Sequence, residues 1–268
     1  MPPAARNATA LRAVLIGATG RMGRALLRAA PAFPPIVITA AIASPGSAAQ
    51  GRDAGELAGL GASGLRVSAD LPAALAGADL ALDFSTGEAT RANLAACRAA
   101  RTALLVGATG YPQALEAELT QAAREIALLI APNTSLAMAV MAELVRLAAR
   151  ALPSDFAIDV LDVHHSGKRD APSGTALALG AAAREGRAEG GSGQPPSREI
   201  AFESVRTGEA VGEHSVSFRG PDEQLTVQHR ASDRAVYARG ALAAALWLAA
   251  QPAGRYGMRD LLGFKTVT

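Results

Sequence analysis

The sequence has little of several residue types, and each shortage narrows the class of protein. Cys97 is its single cysteine, so an intrachain disulfide framework is excluded. Aromatic residues make up 4% of the chain and the net charge is +2, a composition that does not favour nucleic-acid binding. No apolar run approaches the roughly 20 residues of a membrane span, and residues 241–250 come nearest. We therefore expect a soluble, cytoplasmic protein in which Cys97 is a small core residue.

Lysine is scarce as well. Of the 26 basic residues only Lys168 and Lys265 are lysines, so arginine supplies almost every other cation. Lysine differs from arginine in being a compact charge with three donors, and this favours a specific task for Lys168 over a solvated loop position. The four histidines (His164, His165, His214 and His229) also lie in the second part of the chain, with none before residue 164.

Lys168 and two of these histidines lie in one polar stretch, residues 164–176, with the sequence HHSGKRDAPSGTA. It follows a strand-like run at 156–163 and precedes a helix-like run at 176–183. Hydroxyl and glycine residues before a helix leave backbone N–H groups free for an anion, and histidine donates protons near neutral pH. The stretch therefore predicts a site that holds a carboxylate or a phosphate and protonates a group beside it.

The histidines do not predict a metal site. Adjacent side chains of an extended segment, such as His164 and His165, point to opposite sides, and no nearby cysteine or second histidine cluster completes a ligand set. We expect His214 and His229, which fall on predicted strands, to be core or sheet-surface residues.

A glycine turn near the start of the chain predicts a dinucleotide-binding unit. A buried strand at 11–16 is followed by GATGRMG at 17–23 and by a helix at 24–30, which is the strand–turn–helix order of such units and argues against a signal peptide. Gly17 would permit the tight turn, Gly20 the approach of a pyrophosphate, and Gly23 close helix–strand packing. The cofactor contacts predicted here are Gly17, Ala18, Thr19, Gly20, Arg21 and Met22.

The end of the second strand, at 36–42, leaves the choice of cofactor open. An NAD-binding unit usually carries an acidic residue there for the adenosine ribose, but this chain has Ala43 and Ser44 and no acidic residue before Asp53. A 2′-phosphate could be accommodated with Ser44, or with an arginine such as Arg21 or Arg52. The expected cofactor is NADPH and/or NADH.

Strands and helices continue to alternate up to about residue 131, which predicts a doubly wound parallel sheet of the Rossmann type. Ligands of such sheets bind at the carboxyl ends of the strands. Polar turns occupy three of these ends, at 17–22, 107–109 and 131–134. The additional predicted cofactor contacts are Gly107, Ala108, Thr109, Ala131, Pro132, Asn133 and Thr134.

The pattern then changes in a way that predicts a second, α+β domain. A long helix at 135–151 and a helix at 175–184 are followed by a loop at 186–196. Three strand-like runs at 199–205, 213–218 and 224–229 leave no room for full crossover helices between the last two, so the sheet is mixed or antiparallel. We expect residues 1–131 and 241–268 to form the dinucleotide-binding domain and residues 132–240 the substrate-binding and oligomerisation domain.

A nucleotide domain joined to this loop suggests a reductase, and the residues resemble one family in particular. The segment HHSGKRDAPSGTALALG, with GATGRMG before it and GEHSVSF after it, resembles the 4-hydroxy-tetrahydrodipicolinate reductases of the diaminopimelate route to lysine. The resemblance covers nearly the whole chain, including DFST at 83–86, GATG at 107–110 and APNTS at 131–135.

The resemblance implies NAD(P)H-dependent reduction of a cyclic dicarboxylate imine precursor, with loss of water, to tetrahydrodipicolinate. It implies that His164 and Lys168 are catalytic, that His165, Ser173, Gly174 and Thr175 contact the substrate, and that the protein is a homotetramer formed through the second domain's sheet. Ala43 departs from the family's usual acidic residue, Thr134 replaces an aromatic residue, and Ala137 replaces a glycine. The alternatives are another two-domain amino-acid dehydrogenase, of the aspartate type, and a non-catalytic dinucleotide-sensing protein.

Overall fold

The computed structural model describes residues 10–190 and 199–264, which form two compact units. The first unit contains the described residues up to Thr134 together with Tyr237–Gly263, and the second contains Ser135–Val236. The domain boundaries expected from the sequence, at 131/132 and 240/241, lie close to these positions. Within the described residues, no helix is both long and apolar enough to span a bilayer.

The first unit is built on a seven-stranded parallel sheet. Its strands are β1 (Leu11–Ile16), β2 (Ile36–Ile42), β3 (Val67–Ser68), β4 (Leu80–Asp83), β5 (Ala103–Val106), β6 (Ala127–Ile130) and β11 (Gly254–Tyr256), in the order β11-β6-β5-β4-β1-β2-β3. The helices are α1 (Arg21–Ala29), α2 (Ala54–Ala58), α3 (Leu71–Leu75), α4 (Thr90–Ala100), α5 (Leu115–Ala122), α8 (Ala235–Leu248), which starts at the unit boundary, and α9 (Met258–Leu261). The order reverses between β1 and β4, which is where ligands of open α/β sheets bind.

The central strands of this sheet are apolar throughout because they are buried on both faces. Val14, Leu104 and Leu128 are fully buried, and Cys97 is fully buried in the same hydrophobic cluster. The position of Cys97 agrees with its expected role as a small core residue.

The second unit is a mixed four-stranded sheet with two helices. It contains α6 (Leu136–Ala151), β7 (Ala157–His164), α7 (Gly174–Glu189), β8 (Ala201–Arg206), β9 (Gly212–Arg219) and β10 (Gln224–Ala231), with the strands in the order β10-β9-β7-β8. The pair β7–β8 is parallel, and β9 is antiparallel to both β7 and β10. Side chains of β7 and β9 alternate between buried and half-buried, and their buried members pack with α6 and α7 in one core.

The predicted fold class, a Rossmann-type parallel sheet with a second domain on a mixed sheet, is confirmed. Two local predictions were wrong, and one strand was not predicted. Helix α1 starts at Arg21 and not at residue 24, and the tail adds a strand, β11, that the sequence analysis did not predict. The predicted loop at 186–196 is helical up to Glu189, and its part beyond residue 190 lies outside the described residues.

The error at residue 186 has a steric cause. A Cβ atom at Gly186 would overlap the backbone carbonyl of Arg146, so this glycine allows α7 to lie close to α6. Glycine is common where a helix ends, because it has a low helix propensity, and it is also used where two helices pack closely. The sequence alone does not distinguish these two cases, so Gly186 was interpreted as part of a loop.

Candidate active site

The first glycine turn connects β1 to α1. Gly17 has a φ of +81°, and a Cβ atom there would lie 2.5 Å from the Phe84 carbonyl oxygen. A Cβ atom at Gly23 would overlap the Gly17 carbonyl. Gly17 and Gly23 are therefore required for the turn and for close helix–strand packing. Helix α1 has no side-chain cap at Gly20 and no acidic residue in its first turn, which suits an anion at its N-terminus.

A cavity of about 400 Å³ opens at this turn. Four predicted cofactor residues line it, namely Gly17, Thr19, Gly20 and Ser44, and so do Ala43, Phe84, Ser85, Thr86 and Asn93. Of the other predicted cofactor residues Ala18, Ala108 and Ala131 are buried, whereas Arg21 is exposed. The described structure does not place Ala18, Arg21, Met22, 107–109 or 131–134 on the lining of this cavity.

Phe84 and its neighbours are the cavity residues that sequence reasoning missed. A Cβ atom at Gly107 would overlap the Phe84 ring, and one at Gly87 would overlap the backbone at Gly110. The segment after β4 thus packs against both GATG turns. The DFST motif at 83–86 was the available signal, because it stands at the end of a strand next to β1.

Among the described residues that line the cavity, none carries a carboxylate. The nearby carboxyl group of Asp83 is fully buried and accepts hydrogen bonds from the Ser85 N–H and hydroxyl groups and from the Asn93 amide. Asp53 is also engaged, as the N-cap of α2 and as the acceptor of the Ser63 and Gly64 N–H groups. Neither group is available to a ribose, and this agrees with the open cofactor preference.

The polar loop of the second unit runs from the end of β7 to the start of α7. His164 is 8% exposed, and His165 is half-buried. The Lys168 ammonium group lies 2.8 Å from both carboxylate oxygens of Asp170. The peptide bond between Ala171 and Pro172 is cis. Two predicted catalytic residues therefore lie in one loop, and one of them already binds a carboxylate.

Helix α7 begins at this loop, and Ser173 is its N-cap. The Ser173 hydroxyl accepts the Ala176 N–H at 3.1 Å and lies 3.3 Å from His214 Nε2. The Ser173 N–H donates to Asp162 Oδ2 at 2.7 Å. Because Ser173 is only 2% exposed and its polar groups are engaged within the protein, its predicted contact with substrate remains a prediction. Gly174 is exposed and Thr175 is half-buried in the first turn of α7.

Beneath the loop lies a fully buried carboxylate, Asp162, which the sequence analysis did not identify. Its Oδ1 atom lies 2.5 Å from Arg206 Nη1, and its Oδ2 atom also accepts the Ser204 hydroxyl at 3.3 Å. Burial alone would raise the pKa of Asp162, but the hydrogen bonds from Arg206 and Ser173 outweigh it and lower the pKa to about 2. Asp162 is therefore ionised at neutral pH.

Two histidines meet on the same side of the sheet. The rings of His164 and His214 are in edge contact, with centroids 5.0 Å apart. His214 is 2% exposed, and burial, with His164 nearby, lowers its pKa to about 4. Burial and the charge of Lys168 also lower the pKa of His164, while Asp162 opposes this shift. His214 is a buried sheet residue, as expected, but its contacts with the loop were not foreseen.

His229 lies next to this group, opposite His214 on the neighbouring strand β10. Its Nε2 atom is 3.4 Å from the hydroxyl of Ser135, the N-cap of α6. Thr134 does not cap that helix, because its hydroxyl donates to the Tyr237 carbonyl at 2.7 Å. In the part of the chain that the structure describes, no three histidine, cysteine or acidic residues are grouped so as to hold a metal ion.

Family models match both units. Residues 11–134 match the N-terminal part of dihydrodipicolinate reductase and residues 137–262 its C-terminal part. The 4-hydroxy-tetrahydrodipicolinate reductase of Alkalilimnicola ehrlichii is 46% identical over 264 residues, which cover 94% of this chain and 98% of that protein. The corresponding enzyme of Anaeromyxobacter dehalogenans is 42% identical over 265 residues, covering 95% of this chain and 98% of that protein.

Solved structures show the same architecture. A dipicolinate-bound dihydrodipicolinate reductase from Paenisporosarcina sp. TG-14 has a TM-score of 0.74 at 19% identity, over 94% of this chain and 99% of that one. An amine dehydrogenase from Mycobacterium smegmatis has a TM-score of 0.66 at 16% identity, over 92% of this chain and 94% of that one. At these identities the two structures support the fold, and the family assignment rests on the sequence matches.

Proposed function

Because the chain belongs to the dihydrodipicolinate reductase family, we propose individual roles for its residues in that family's reaction. The protein catalyses the NAD(P)H-dependent reduction of 4-hydroxy-tetrahydrodipicolinate to tetrahydrodipicolinate in diaminopimelate and lysine biosynthesis. The observation that carries the role assignments is the loop at 164–175, which combines His164, Lys168 and the first turn of α7.

The residues of the first unit fit a dinucleotide. The turn has no room for a side chain at Gly17, and no side chain caps the N-terminus of α1. The cavity beside the turn is lined by hydroxyl and amide groups. We assign the pyrophosphate to the first turn of α1 and the adenosine ribose to the cavity near Ser44. The segments 107–109 and 131–134 would contact the nicotinamide side of the cofactor. When bound, a reduced nicotinamide supplies the hydride.

The loop of the second unit would hold a substrate carboxylate. The Lys168 ammonium group offers a full charge, and the N–H groups of Gly174 and Thr175 lie at the positive end of the 16-residue helix α7. Asp170, whose side chain is 57% exposed, is the present partner of Lys168. We propose that the substrate carboxylate replaces Asp170 at Lys168 and that Asp170 turns to solvent. His165 would bind a second polar group of the substrate.

His164 would supply the proton. Loss of the substrate's hydroxyl group as water leaves a conjugated imine, and addition of hydride to it gives an enamine that needs one proton at carbon. His164 is the titratable group of the loop that lies beside the buried carboxylate of Asp162, 3.6 Å away. A dianionic substrate would also favour the imidazolium form. His164 therefore delivers the proton while Lys168 holds the substrate.

We further propose a homotetramer located in the cytoplasm. Helices α6 and α7 pack on one face of the mixed sheet, while alternate side chains on the other face, such as Leu161, Glu203 and Thr226, are exposed or half-buried. Association of copies through that second face would cover it. The cytoplasm is proposed because the family's reaction is a biosynthetic step that consumes NAD(P)H. Light scattering after size-exclusion chromatography measures the oligomer, and a monomer would contradict this proposal.

The role assignments are tested by assaying cofactor oxidation with the condensation product of pyruvate and aspartate semialdehyde as substrate. Wild-type protein should oxidise NADPH or NADH only when that product is present. His164→Gln should turn over at least a hundredfold more slowly while binding pyridine-2,6-dicarboxylate, a planar dicarboxylate probe, with similar affinity. Unchanged turnover in this variant would remove His164 from proton delivery.

A further inference from the structure

A buried ion pair lies under the loop and contacts both of its ends. Strand β8 pairs with β7 so that Arg206 is opposite His164, and Asp162 stands two residues earlier on the same face of β7. Asp162 is fully buried, and the Arg206 side chain is 17% exposed. Because the two charged groups lie 2.5 Å apart, each compensates the burial of the other.

Each member of the pair also holds the backbone of the loop. Asp162 Oδ2 accepts the Ser173 N–H at 2.7 Å, which fixes the residue that caps α7. Arg206 Nη2 donates to the Asp170 carbonyl oxygen at 2.7 Å, two residues beyond Lys168. The pair thus bonds to the backbone near the ammonium group and near the start of the helix, the two features assigned to the carboxylate.

The pair also places charge beside His164. Asp162 Oδ1 lies 3.6 Å from His164 Nδ1, which is longer than a hydrogen bond, and His164 Nδ1 has no hydrogen-bond partner among residues 10–190 and 199–264. The groups facing His164 are Asp162 on its own strand, Arg206 on β8, His214 on β9, and Lys168 with Asp170 in the loop. Burial and then the charge of Lys168 lower the pKa of His164 most, the negative charge of Asp162 raises it, and Arg206 lowers it further.

We propose that Asp162 and Arg206 are positioning residues for the reaction: together they hold the loop at 164–175 in its carboxylate-binding form and set the charge balance around His164. This inference rests on the function proposed above. Neither residue needs to touch the substrate. Asp162 acts through the Ser173 N–H and His164, and Arg206 acts through the Asp170 carbonyl.

The charges predict opposite effects for two substitutions. In Asp162→Asn the negative charge beside His164 is lost, so His164 should lose its proton at a lower pH than in the wild type. In Arg206→Gln the positive charge is lost, so His164 should keep its proton to a higher pH. A purely structural role for the pair would not produce shifts of opposite sign.

The chain offers a matched control, the Arg146–Glu189 ion pair of the same unit. The Arg146 side chain is only 6% exposed, and Glu189 ends α7 at the far end from Ser173, about 24 Å away at 1.5 Å per helical residue. Glu189→Gln should disturb stability without changing the titration of His164 or the binding of a dicarboxylate. A second control is Arg206→Lys, which keeps the positive charge. It loses the planar guanidinium group, whose two terminal nitrogens bond to Asp162 and to the Asp170 carbonyl.

The test follows the His164 titration by NMR of its ring protons and the binding of pyridine-2,6-dicarboxylate by calorimetry. We expect opposite pKa shifts in Asp162→Asn and Arg206→Gln and none in Glu189→Gln. Binding should weaken about tenfold or more in both variants of the pair, and Arg206→Lys should weaken binding with little change in the titration. If a single variant does not fold, the neutral pair, which is the double variant Asp162→Asn/Arg206→Gln, should fold because it leaves no unpaired buried charge. It should still bind pyridine-2,6-dicarboxylate more weakly than the wild type.

Two results would overturn the inference: shifts of the same sign or no shift in folded single variants, or wild-type binding in the neutral pair. Neither depends on turnover. A wild-type protein that oxidises no cofactor with the condensation product, or a His164→Gln variant that keeps full activity, would instead contradict the function proposed above.

Discussion

The turn after β1 and the loop after β7 both precede a helix N-terminus, but they are built in different ways. The first depends on the absence of side chains, since Gly17 and Gly23 have no space for a Cβ atom. The second depends on charge, since a buried carboxylate bonds to the Ser173 N–H and to Arg206. A site formed by steric need tolerates no added atom, whereas a site formed by buried charge tolerates no unpaired group.

The largest expected effect comes from removing the ammonium group that is proposed to hold the substrate carboxylate. Lys168→Ala should lower kcat/KM by about a hundredfold or more, because no other ammonium group of the described residues lies in this loop. Cofactor affinity should not change, since the turn in the first unit is intact. Steady-state kinetics and fluorescence titration with NADPH measure the two quantities.

Arg169→Ala is the matched control, because Arg169 is the exposed cation next to Lys168. It should change kcat/KM by less than about twofold, as expected for an exposed charge with weak interactions. Equal losses in the two variants would mean that the loop attracts the substrate by its overall charge and not through Lys168.

Gly17→Ala should break the first site alone. The added methyl group would meet the Phe84 carbonyl at 2.5 Å in a residue with a φ of +81°. Steric overlap and backbone strain together should cost about 2–4 kcal/mol of stability, and NADPH binding should weaken. Chemical denaturation and fluorescence titration measure these effects, and binding of pyridine-2,6-dicarboxylate should be unaffected.

Gly59→Ala is the control for Gly17→Ala, because it introduces the same backbone strain without steric overlap. Gly59 has a φ of +80°, but a Cβ atom there would meet nothing within 4 Å. We expect a loss of about 1 kcal/mol and normal NADPH binding. If Gly59→Ala weakened NADPH binding as much as Gly17→Ala, the steric account of the first site would be wrong.

The same difference explains how far the sequence could predict each region. Gly17, Gly20 and Gly23 are close in sequence, so the glycine turn and the parallel sheet were predicted, although helix α1 starts three residues earlier than expected. The importance of Asp162 depends on Arg206, 44 residues away, and no local pattern reports which residue a neighbouring strand places opposite another. Phe84 was missed for a similar reason, because its contacts with Gly17 and Gly107 exist only after β4 pairs with β1 and β5.

Acid should affect the second region through His214, whose pKa is lowered to about 4. The unfolded chain binds a proton near pH 6.5, so the unfolded state holds more protons between these two pH values. Stability is therefore fully present above about pH 6.5 and is lost as the pH falls toward 4, by up to about 3 kcal/mol. Urea unfolding of the wild type and of His214→Phe, whose ring takes no charge, should diverge over this range.

His229→Phe provides the comparison for that experiment. Burial lowers the pKa of His229 as well, but the residue is only half-buried. The substitution His229→Phe should therefore reduce the loss of stability in acid less than His214→Phe does. An identical pH dependence of stability in the wild type and in His214→Phe would show that burial and the neighbouring His164 do not lower the pKa of His214.

The smallest effect concerns the choice of cofactor in the first region. Ala43 lines the cavity at the position where an acidic residue would bind the ribose hydroxyls, and no carboxylate replaces it. Ala43→Glu should shift the ratio of NADH to NADPH affinity about tenfold toward NADH, because a carboxylate accepts ribose hydroxyls and repels a 2′-phosphate. Calorimetry with each cofactor measures the ratio.

Ala43→Gln separates the charge from the size of the new side chain. Glutamine also accepts hydrogen bonds but does not repel a phosphate, so it should leave NADPH binding closer to wild type than glutamate does. If the wild type already bound NADH at least tenfold more tightly than NADPH, the lack of a carboxylate at Ala43 could not be what sets the preference. The cavity would then select its cofactor through Ser44 or through backbone groups. Charged side chains would then determine ligand binding only at the loop after β7.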